Sequence, residues 1–459
     1  TEAIADIKCR RLSDDIILEL TNSYTTNYET FPLQINDLLF LDSSKTLTIR
    51  PALGASNVLI NNNGPNALLR IQNVSYVTID GRPGGVGVNN ELTLQNDTGS
   101  NNVFYLGKYT QHTLIRNCNI KGKGQADNFE NCLIYFDSLN VSSNTIVNCN
   151  FSPVNSSEWL ENVIVSKGSN FYPNINNLIT ACNFQNFGNY LSNYAYNIAA
   201  ALKLENGNAE WTIENNSFYA TDTINSLGYN FCVLIKNTAL AANFIVKENW
   251  FGGTEPQCQG GIMETYTSIY GCFNFISLNL NKGNAEIIGN QMKKINFNMT
   301  NPNFYNSPQG YTDLQSFISV NTSKSKIHNN IIGDSLNSNC IKLSTFNNNT
   351  LRNHAIISSK YQDYVMDTAA FNTSIKGNMI AGVKYENSLW QSTVIAVQGS
   401  YLNDSIEVKN NIIYTIYGSN YSKGLEVLST VENDKISITN NAISNISSNS
   451  FNGIYFSIS

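Results

Sequence analysis

The sequence predicts an all-β fold, namely a single-domain right-handed parallel β-helix of roughly 11–12 coils with an N-terminal helical cap. Three observations predict it. A six-residue phrase recurs along the chain, short runs of β-forming residues precede its copies, and most neighbouring copies lie 29–41 residues apart without helical periodicity. Repeats of that length are typical of one structural unit stacked on copies of itself.

The phrase reads apolar residue, any residue, turn-prone residue, Asn or Cys, any residue, apolar residue. Its third position is mostly Asn or Gly, which tolerate a left-handed backbone, so we expect a sharp bend there. Its fourth position is Asn or Cys, and we expect this compact side chain to point inward and stack on its counterpart one coil away. The eleven copies are Ile115–Ile120, Ile146–Phe151, Ile179–Phe184, Ile213–Phe218, Val246–Phe251, Ile287–Met292, Ile327–Ile332, Phe346–Leu351, Ile375–Ile380, Val408–Ile413 and Ile438–Ile443.

The runs before the phrase predict strands that stack in parallel about 4.8 Å apart from coil to coil. They are Val103–Leu106, Leu133–Phe136, Val163–Val165, Cys232–Ile235, Phe273–Leu278, Phe317–Val320, Cys340–Leu343, Val394–Val397, Gly424–Leu428 and Gly453–Ile458. A leucine-rich repeat is the structural alternative. It would need a Leu-x-x-Leu-x-Leu strand and a shorter period of about 20–29 residues, and neither is present.

Both ends of the chain suggest a division into segments. Ala3–Leu12 resembles a short amphipathic helix suited to cover the open end of the first coil. We therefore expect a cap and first strand over residues 1–24 and the β-helix over residues 25–459. Because Gly453–Ile458 begins another coil strand, we expect the native chain to continue beyond Ser459.

Composition excludes several classes of protein. Only 14% of residues are charged and the formal net charge is −6, which argues against a nucleic-acid partner. The sequence has no apolar stretch long enough to span a membrane. Most of the nine cysteines occupy ladder or pre-bend positions, so we expect small core residues rather than a disulfide scaffold; Cys9 and Cys258 fall outside these positions.

The sequence contains no recognisable catalytic or metal-binding pattern. No acidic cluster of the kind that holds calcium occurs, nor does a Gly-His-Gly motif or a nucleotide-binding motif. The histidines His112, His328 and His354 occupy different coil positions, and His328 lies beside a bend asparagine, where a solvated role is expected. The sequence thus predicts no catalytic residues, no metal and no cofactor, although lyase sites on this fold need few residues.

Long loops follow the bend strands at residues 252–271 and 298–316 and are rich in aromatic residues. Exposed rings can stack on sugars, so these loops and their later equivalents predict a glycan-contacting surface. The alternative is that the rings pack the loops against the solenoid. If the surface were hydrolytic, Glu255, Glu264 and Asp313 are the available carboxylates. The predicted ligand-binding residues are Tyr266, Tyr270, Phe304, Tyr305, Tyr311, Trp390, Tyr414 and Tyr417.

Segments near the N-terminus resemble a known family. Leu12–Leu20, Glu29–Pro32, Thr48–Pro51 and Tyr76–Gly85 resemble the start of large β-helical surface proteins exported by the type IX secretion system of Bacteroidota. The β-helix as a whole is similar to the pectate-lyase-like superfamily. The resemblance implies a secreted or outer-surface protein that meets the secretion machinery, and we expect a C-terminal sorting domain to follow the β-helix beyond Ser459.

Taken together, these features predict a secreted or cell-surface β-helix that acts in adhesion, surface architecture or glycan binding, with a polysaccharide or other glycan as partner. The alternative is a polysaccharide lyase or glycoside hydrolase that acts in the loop face near Tyr266 and Tyr305. Whether the protein is an enzyme stays open at this point.

Overall fold

The computed structural model is a parallel β-helix, as the repeat predicts. It describes residues 1–8, 14–38, 40–98, 102–123, 131–156, 158–188, 198–226, 228–238, 241–267, 272–280, 283–299, 316–335, 337, 340–345, 354–360, 371–386, 391–399, 405–429 and 435–458. The chain forms two compact units: the first comprises Thr1–Phe187 and Ala200–Asn216, the second Gly188–Ala199 and Ser217–Ser459. The predicted division at residues 24 and 25 stays a prediction.

The first unit opens with helix α1, which buries Ile4 and Ile7 and lies within the predicted cap; residues 9–13 of that prediction lie outside the described residues. Its helices are α1 (Glu2–Lys8) and the short 3₁₀ segments Thr26–Tyr28 and Pro83–Gly85. Its strands are β1 Ile16–Leu20, β2 Leu33–Asn36, β3 Leu47–Pro51, β4 Val58–Asn62, β5 Leu69–Gln72, β6 Val77–Asp80, β7 Leu92–Asn96, β8 Phe104–Leu106, β9 Leu114–Arg116, β10 Cys118–Gly122, β11 Ile134–Phe136, β12 Thr145–Val147, β13 Asn150–Pro153, β14 Asn162–Ser166, β15 Asn174–Ile175, β16 Leu178–Thr180, β17 Asn183–Gln185, β18 Ile198–Leu204, β19 Asn208–Ala209 and β20 Trp211–Glu214.

Parallel pairing arranges these strands in three main sheets. Sheet 1 contains β1, β3, β6, β9, β12, β16 and β20; sheet 2 contains β4, β7, β10, β13 and β17; sheet 3 contains β2, β5, β8, β11, β14 and β18. In sheet 1 the register aligns Ile79, Ile115, Ile146, Ile179 and Ile213, all of them buried. Because side chains alternate along a strand, each coil places one row of aliphatic residues inside and one polar row outside.

The second unit repeats this arrangement. It includes the 3₁₀ segment Pro256–Cys258. Its strands are β21 Ser217–Tyr219, β22 Ile224–Ser226, β23 Tyr229–Asn237, β24 Ala242–Lys247, β25 Trp250–Phe251, β26 Met263–Thr267, β27 Cys272–Leu280, β28 Gly283–Ile288, β29 Gln291–Met292, β30 Ile295–Met299, β31 Ile318–Asn321, β32 Lys324–His328, β33 Ile331–Gly333, β34 Ile341–Thr345, β35 His354–Lys360, β36 Asn372–Lys376, β37 Met379–Glu386, β38 Gln391–Gln398, β39 Ser405–Lys409, β40 Ile412–Ser429, β41 Lys435–Thr439 and β42 Ala442–Ile458.

In this unit sheet 1 contains β24, β28, β32, β36, β39 and β41. Sheet 2 runs through β21, β25, β29, β33 and the starts of β37, β40 and β42, while sheet 3 runs through β23, β27, β31, β35, β38 and the ends of β40 and β42. A further strip, here called sheet 4, joins β22, β26, β30, β34, the second half of β37 and the middle of β40.

The predicted bend occurs at the third position of each described copy of the phrase, where φ lies between 52° and 68°. These residues are Asn117, Asn148, Ala181, Asn215, Glu248, Gly289, Asn329, Gly377, Asn410 and Asn440. A left-handed backbone in ten successive coils explains the preference for Asn and Gly.

The fourth position forms the predicted internal ladder. In the second unit each amide Nδ2 donates to the Oδ1 atom of the next asparagine at 2.9–3.0 Å, through Asn249, Asn290, Asn330, Asn378, Asn411 and Asn441. In the first unit the buried residues Cys118, Cys149 and Cys182 take these positions, and the backbone N–H of Cys182 donates to Asn216 Oδ1 at 2.9 Å. The ladder satisfies polar groups that would otherwise be orphaned inside the bend.

The described ladder passes directly from Asn330 to Asn378. Asn330 donates to Asn378 across 48 residues, and sheet 1 pairs β32 with β36. The predicted copy of the phrase at Phe346–Leu351, only 19 residues after the preceding copy, lies outside the described residues.

A second stack of left-handed bends, not predicted from the sequence, precedes sheet 1 in the first unit. Its φ values of 51° to 60° occur at Tyr76, His112, Ser143, Asn176 and Glu210. Inside it runs a short second ladder, in which Asn144 Nδ2 donates to Asn177 Oδ1 at 3.1 Å. Because these five bend residues share no side-chain type, the sequence carries no signal for the stack.

The cysteines whose side chains are described are buried free thiols. This agrees with the prediction that they are small core residues. They are Cys118, Cys132, Cys149, Cys182, Cys232, Cys258 and Cys340. Burial raises the pKa of the Cys118, Cys182 and Cys232 thiols, because desolvation disfavours the thiolate. These thiols are therefore inert packing groups in the folded protein.

Candidate functional site

The predicted aromatic surface is only partly described. Tyr266, Tyr414 and Tyr417 lie among the described residues, whereas Tyr270, Phe304, Tyr305, Tyr311 and Trp390 lie outside them. Tyr266 on β26 and Tyr417 on β40 both belong to sheet 4, but four strand spacings separate them, about 19 Å. They cannot stack on the same sugar ring, and a role for these residues in ligand binding stays a prediction.

The carboxylates considered for hydrolysis do not form a described pair. Glu264 accepts hydrogen bonds from Asn296 Nδ2 at 2.7 Å and from Asn298 Nδ2 at 3.2 Å. Glu255 lies at the start of a turn, and Asp313 lies outside the described residues. Glu264 is therefore held by two amides rather than by a second acidic group.

A different surface brings charged residues together. We call it the lysine face: the outward side chains of sheet 1 in the second unit, on β24, β28, β32, β36, β39 and β41. Strand register aligns them in three columns. The first column is Asn243, Asn284, Lys324, Asn372, Ser405 and Lys435; the second is Ile245, Glu286, Lys326, Ser374, Glu407 and Ser437; the third is Lys247, Ile288, His328, Lys376, Lys409 and Thr439.

The lysine face carries more positive than negative charge. Its outward positions on these described strands hold six lysines against two glutamates, an excess of four, although the whole sequence has a net charge of −6. Sheet 1 of the first unit differs, because its charges compensate one another along the column. There Arg50 pairs with Glu19 at 2.8 Å, and Arg116 pairs with Asp80 at 2.7 Å. The local cation excess is thus a feature of the second unit's sheet 1.

Two glutamates organise the lysines. Glu286 pairs with Lys326 at 2.6 Å, while Glu407 pairs with both Lys376 at 2.5 Å and Lys409 at 2.6 Å. Hydrogen bonds from Lys376 and Lys409 lower the pKa of Glu407 to about 2, so its carboxylate stays ionised at neutral pH. Lys324 pairs with no carboxylate among the described residues, and neither does Lys435.

His328 lies in the middle of this cationic surface. Its Nε2 atom is 2.9 Å from Ser374 Oγ, which in turn lies 3.4 Å from Glu407 Oε2. Partial burial lowers the pKa of the imidazole, and the positive charges of Lys376 and Lys326 lower it further, so the ring is neutral at neutral pH. It can accept a proton beside two ammonium groups.

The same contacts do not form a nucleophilic triad. In a Ser-His-carboxylate triad the imidazole lies between the other two groups, whereas here the hydroxyl of Ser374 lies between His328 and Glu407. The other histidines take no part. His112 belongs to the first unit and stacks on Tyr76 with ring centroids 4.8 Å apart, and the side chain of His354 is not described.

The lysine face was not predicted from the sequence. Each strand contributes only two or three outward residues, and the neighbouring column members lie 30–50 residues apart in the chain. The available signal was a repeated alternation of polar or charged residues, often Lys or Glu, with buried apolar residues shortly before each ladder asparagine. It becomes a charged patch only when the strands are stacked in register.

The described residues contain neither a metal-binding cluster nor a membrane-spanning helix. Over the part of the chain that is described, no three side chains of His, Cys, Asp or Glu are grouped so that they could hold a metal ion. Among those same residues no helix has both the length and the apolar character needed to cross a membrane.

Comparisons with known proteins give only distant likenesses. No family model matches the chain, and no curated protein matches it. The tailspike protein gp49 from Acinetobacter baumannii bacteriophage Fri1, a capsular polysaccharide depolymerase, matches with a TM-score of 0.37 and 10% identity, over 95% of this chain and 64% of that one. A mutant of the PL6 family alginate lyase AlyGC matches with a TM-score of 0.27 and 11% identity, over 96% of this chain and 82% of that one. This chain therefore spans under two thirds of the tailspike chain's length, and likenesses this distant carry no argument about ligands.

Proposed function

We propose that the protein binds an acidic polysaccharide along the lysine face. The observation that carries the proposal is the excess of lysines over glutamates on one continuous sheet surface of a chain whose net charge is negative. A surface of one sign of charge raises the local concentration of ligands of the opposite sign. An acidic polymer is the ligand class that this surface attracts.

The spacing of the cations suits an extended polymer. Lys376 and Lys409 follow one another in the third column on successive coils, about 4.8 Å apart. That step is comparable to the advance of one sugar residue along an extended chain. The amide and hydroxyl groups of the first column, such as Asn372 and Ser405, can bond sugar hydroxyls beside the charged groups.

An extracellular role in adhesion or surface architecture is part of the proposal. The resemblance of Leu12–Leu20 and Tyr76–Gly85 to exported β-helical surface proteins supports such a setting. A sheet with a repeating cationic surface is suited to hold a surface polysaccharide by many weak contacts, each of which adds to the avidity.

The test is affinity electrophoresis in gels containing polygalacturonate, alginate or neutral dextran. We expect both acidic polymers to retard the wild-type protein, dextran not to, and added salt to weaken the effect because the charges are exposed. The double substitution Lys376→Ala with Lys409→Ala should weaken binding at least about ten-fold, or about 1.4 kcal/mol. The matched control removes two lysines of the first unit, Lys45→Ala with Lys121→Ala, and should bind like wild type. Equal retardation of wild type and the Lys376/Lys409 variant would contradict the proposal.

A second candidate function is suggested by the neutral imidazole of His328 between Lys326 and Lys376. In β-elimination a base removes the proton α to a uronate carboxylate, the glycosidic carbon–oxygen bond breaks, and the departing oxygen takes a proton from water. His328 would be the base, and Lys376 would neutralise the carboxylate. This is lyase chemistry, and it leaves an unsaturated sugar end on the product.

Ultraviolet absorbance of unsaturated products separates the two functions. If the protein is a lyase, incubation with acidic polysaccharides will raise this absorbance, and His328→Ala will abolish the rise while retardation in the gel persists. Retardation without any absorbance change identifies a binding protein and rejects the lyase.

A further inference from the structure

A column of outward side chains on sheet 3 of the first unit has a different character from the lysine face. Register aligns Gln34 on β2, Arg70 on β5, Tyr105 on β8 and Tyr135 on β11. The guanidinium carbon of Arg70 lies 4.3 Å from the centroid of the Tyr105 ring, and the rings of Tyr105 and Tyr135 are 5.6 Å apart. The guanidinium thus lies on the Tyr105 ring, which packs against the tilted ring of the buried Tyr135.

Neighbouring groups fix the position of the Tyr105 ring on which Arg70 lies. The hydroxyl of Tyr105 donates to Asp137 Oδ2 at 2.7 Å. Gly107 lies beside the same ring: a Cβ atom at this position would lie 2.7 Å from Gln72 Cβ and 3.2 Å from the Tyr105 ring, so only glycine fits there. Arg70 therefore has a defined position before any ligand arrives, which lowers the entropy cost of binding.

Arg70 also differs from other arginines in its partners. Arg50 pairs with Glu19, and both Arg82 and Arg116 pair with Asp80. Arg70 pairs with no carboxylate among the described residues, and none of its N–H groups has a described hydrogen-bond acceptor. Its guanidinium carbon packs over the Tyr105 ring, and its N–H donors are available to a planar, doubly accepting anion.

We infer that Arg70 binds the carboxylate of a uronic acid residue, at a site separate from the lysine face. The carboxylate accepts two parallel N–H bonds from the guanidinium edge, and the amides of Gln34 and Gln72 flank the position and bond ring hydroxyls. The lysine face responds to the summed charge of a polymer, whereas Arg70 recognises one carboxylate. The choice of a sugar acid rests on the proposed function; the anion site itself does not.

Isothermal titration with glucuronate and galacturonate, and with glucose and galactose as neutral counterparts, tests the inference. We expect wild type to bind at least one uronate in preference to its neutral counterpart. Arg70→Ala should weaken that binding at least ten-fold, and Arg70→Lys should also weaken it, because an ammonium group cannot form the bidentate pair. Arg50→Ala is the matched control and should bind like wild type.

The variants also separate this site from the lysine face. The Lys376/Lys409 double variant should bind the monosaccharide like wild type, and Arg70→Lys should still be retarded by acidic polymers. Arg70→Gln keeps a planar polar group and serves as a second variant if Arg70→Ala lowers the melting temperature. The inference is overturned if wild type binds no uronate, if neutral sugars bind equally well, or if the Arg70 variants bind like wild type.

Discussion

Ladder asparagines show how single residues stabilise this fold. Asn330 is fully buried, and its Oδ1 atom accepts N–H bonds from both the backbone and the side chain of Asn290 at 3.0 Å. Its Nδ2 atom donates to the carbonyl of Ile287 and to Asn378 Oδ1, also at 3.0 Å. One side chain thus joins three coils, and a compact apolar substitute would leave several buried groups without partners.

Asn330→Ala is therefore expected to lower the free energy of unfolding by about 2–4 kcal/mol. Urea denaturation followed by circular dichroism measures the change. Asn372→Ala is the matched control: Asn372 is exposed on β36, and its loss should alter stability by no more than about 0.5 kcal/mol. Equal stabilities for the two variants would show that the ladder contributes no more than a surface amide.

At the scale of single strands, the alternation of inward and outward side chains produces the lysine face. The sheet 1 strands of the second unit from β24 to β39 alternate buried and outward residues, as in β39, where Ile406 and Val408 are buried and Glu407 and Lys409 point outward. Glu407 forms ion pairs with two lysines at once, so its carboxylate competes with any acidic ligand for Lys376 and Lys409. Because its pKa is lowered to about 2, it competes throughout the neutral and mildly acidic range.

Glu407→Gln should consequently strengthen binding of acidic polysaccharides several-fold, since it removes a negative charge and releases two ammonium groups. Affinity electrophoresis against polygalacturonate at low salt gives the comparison. Glu2→Gln, an exposed position on α1, changes the net charge equally and should have no effect. Unchanged or weaker binding by the Glu407 variant would mean that the ligand does not meet this surface.

At the scale of the whole molecule, the uneven distribution of charge over the surface matters more for the attraction of an acidic ligand than the net charge does. The chain is acidic overall, yet the second unit presents a cationic sheet surface, while sheet 1 of the first unit pairs its arginines with Glu19 and Asp80. Burial alone would raise the pKa of Asp80, but Arg82 and Arg116 hold it below its usual value, so this carboxylate stays charged. An acidic polymer is attracted to a local surface even though the molecule carries the same sign of charge.

The repeated phrase by itself determined the β-helix, the left-handed bends and the internal ladder. Those features are local and recur in most of the described copies: an Asn or Gly that tolerates positive φ, then a compact Asn or Cys that stacks inward. Ala181 and Glu248 take the same left-handed bend, because the stacked neighbouring coils impose it. Which copies are neighbours is visible only in strand pairing, as in the direct pairing of β32 with β36.

Tertiary structure alone decided the candidate sites. The aromatic pattern singled out Tyr266 and Tyr417, and the structure separates them by four strands of sheet 4. His328 and Lys376, and likewise Arg70 and Tyr105, lie 30–50 residues apart in the chain and become neighbours through strand register. The physical reason is that each coil of a solenoid contributes only one or two side chains to a given site. A site formed by several coils therefore has no local signature in the sequence.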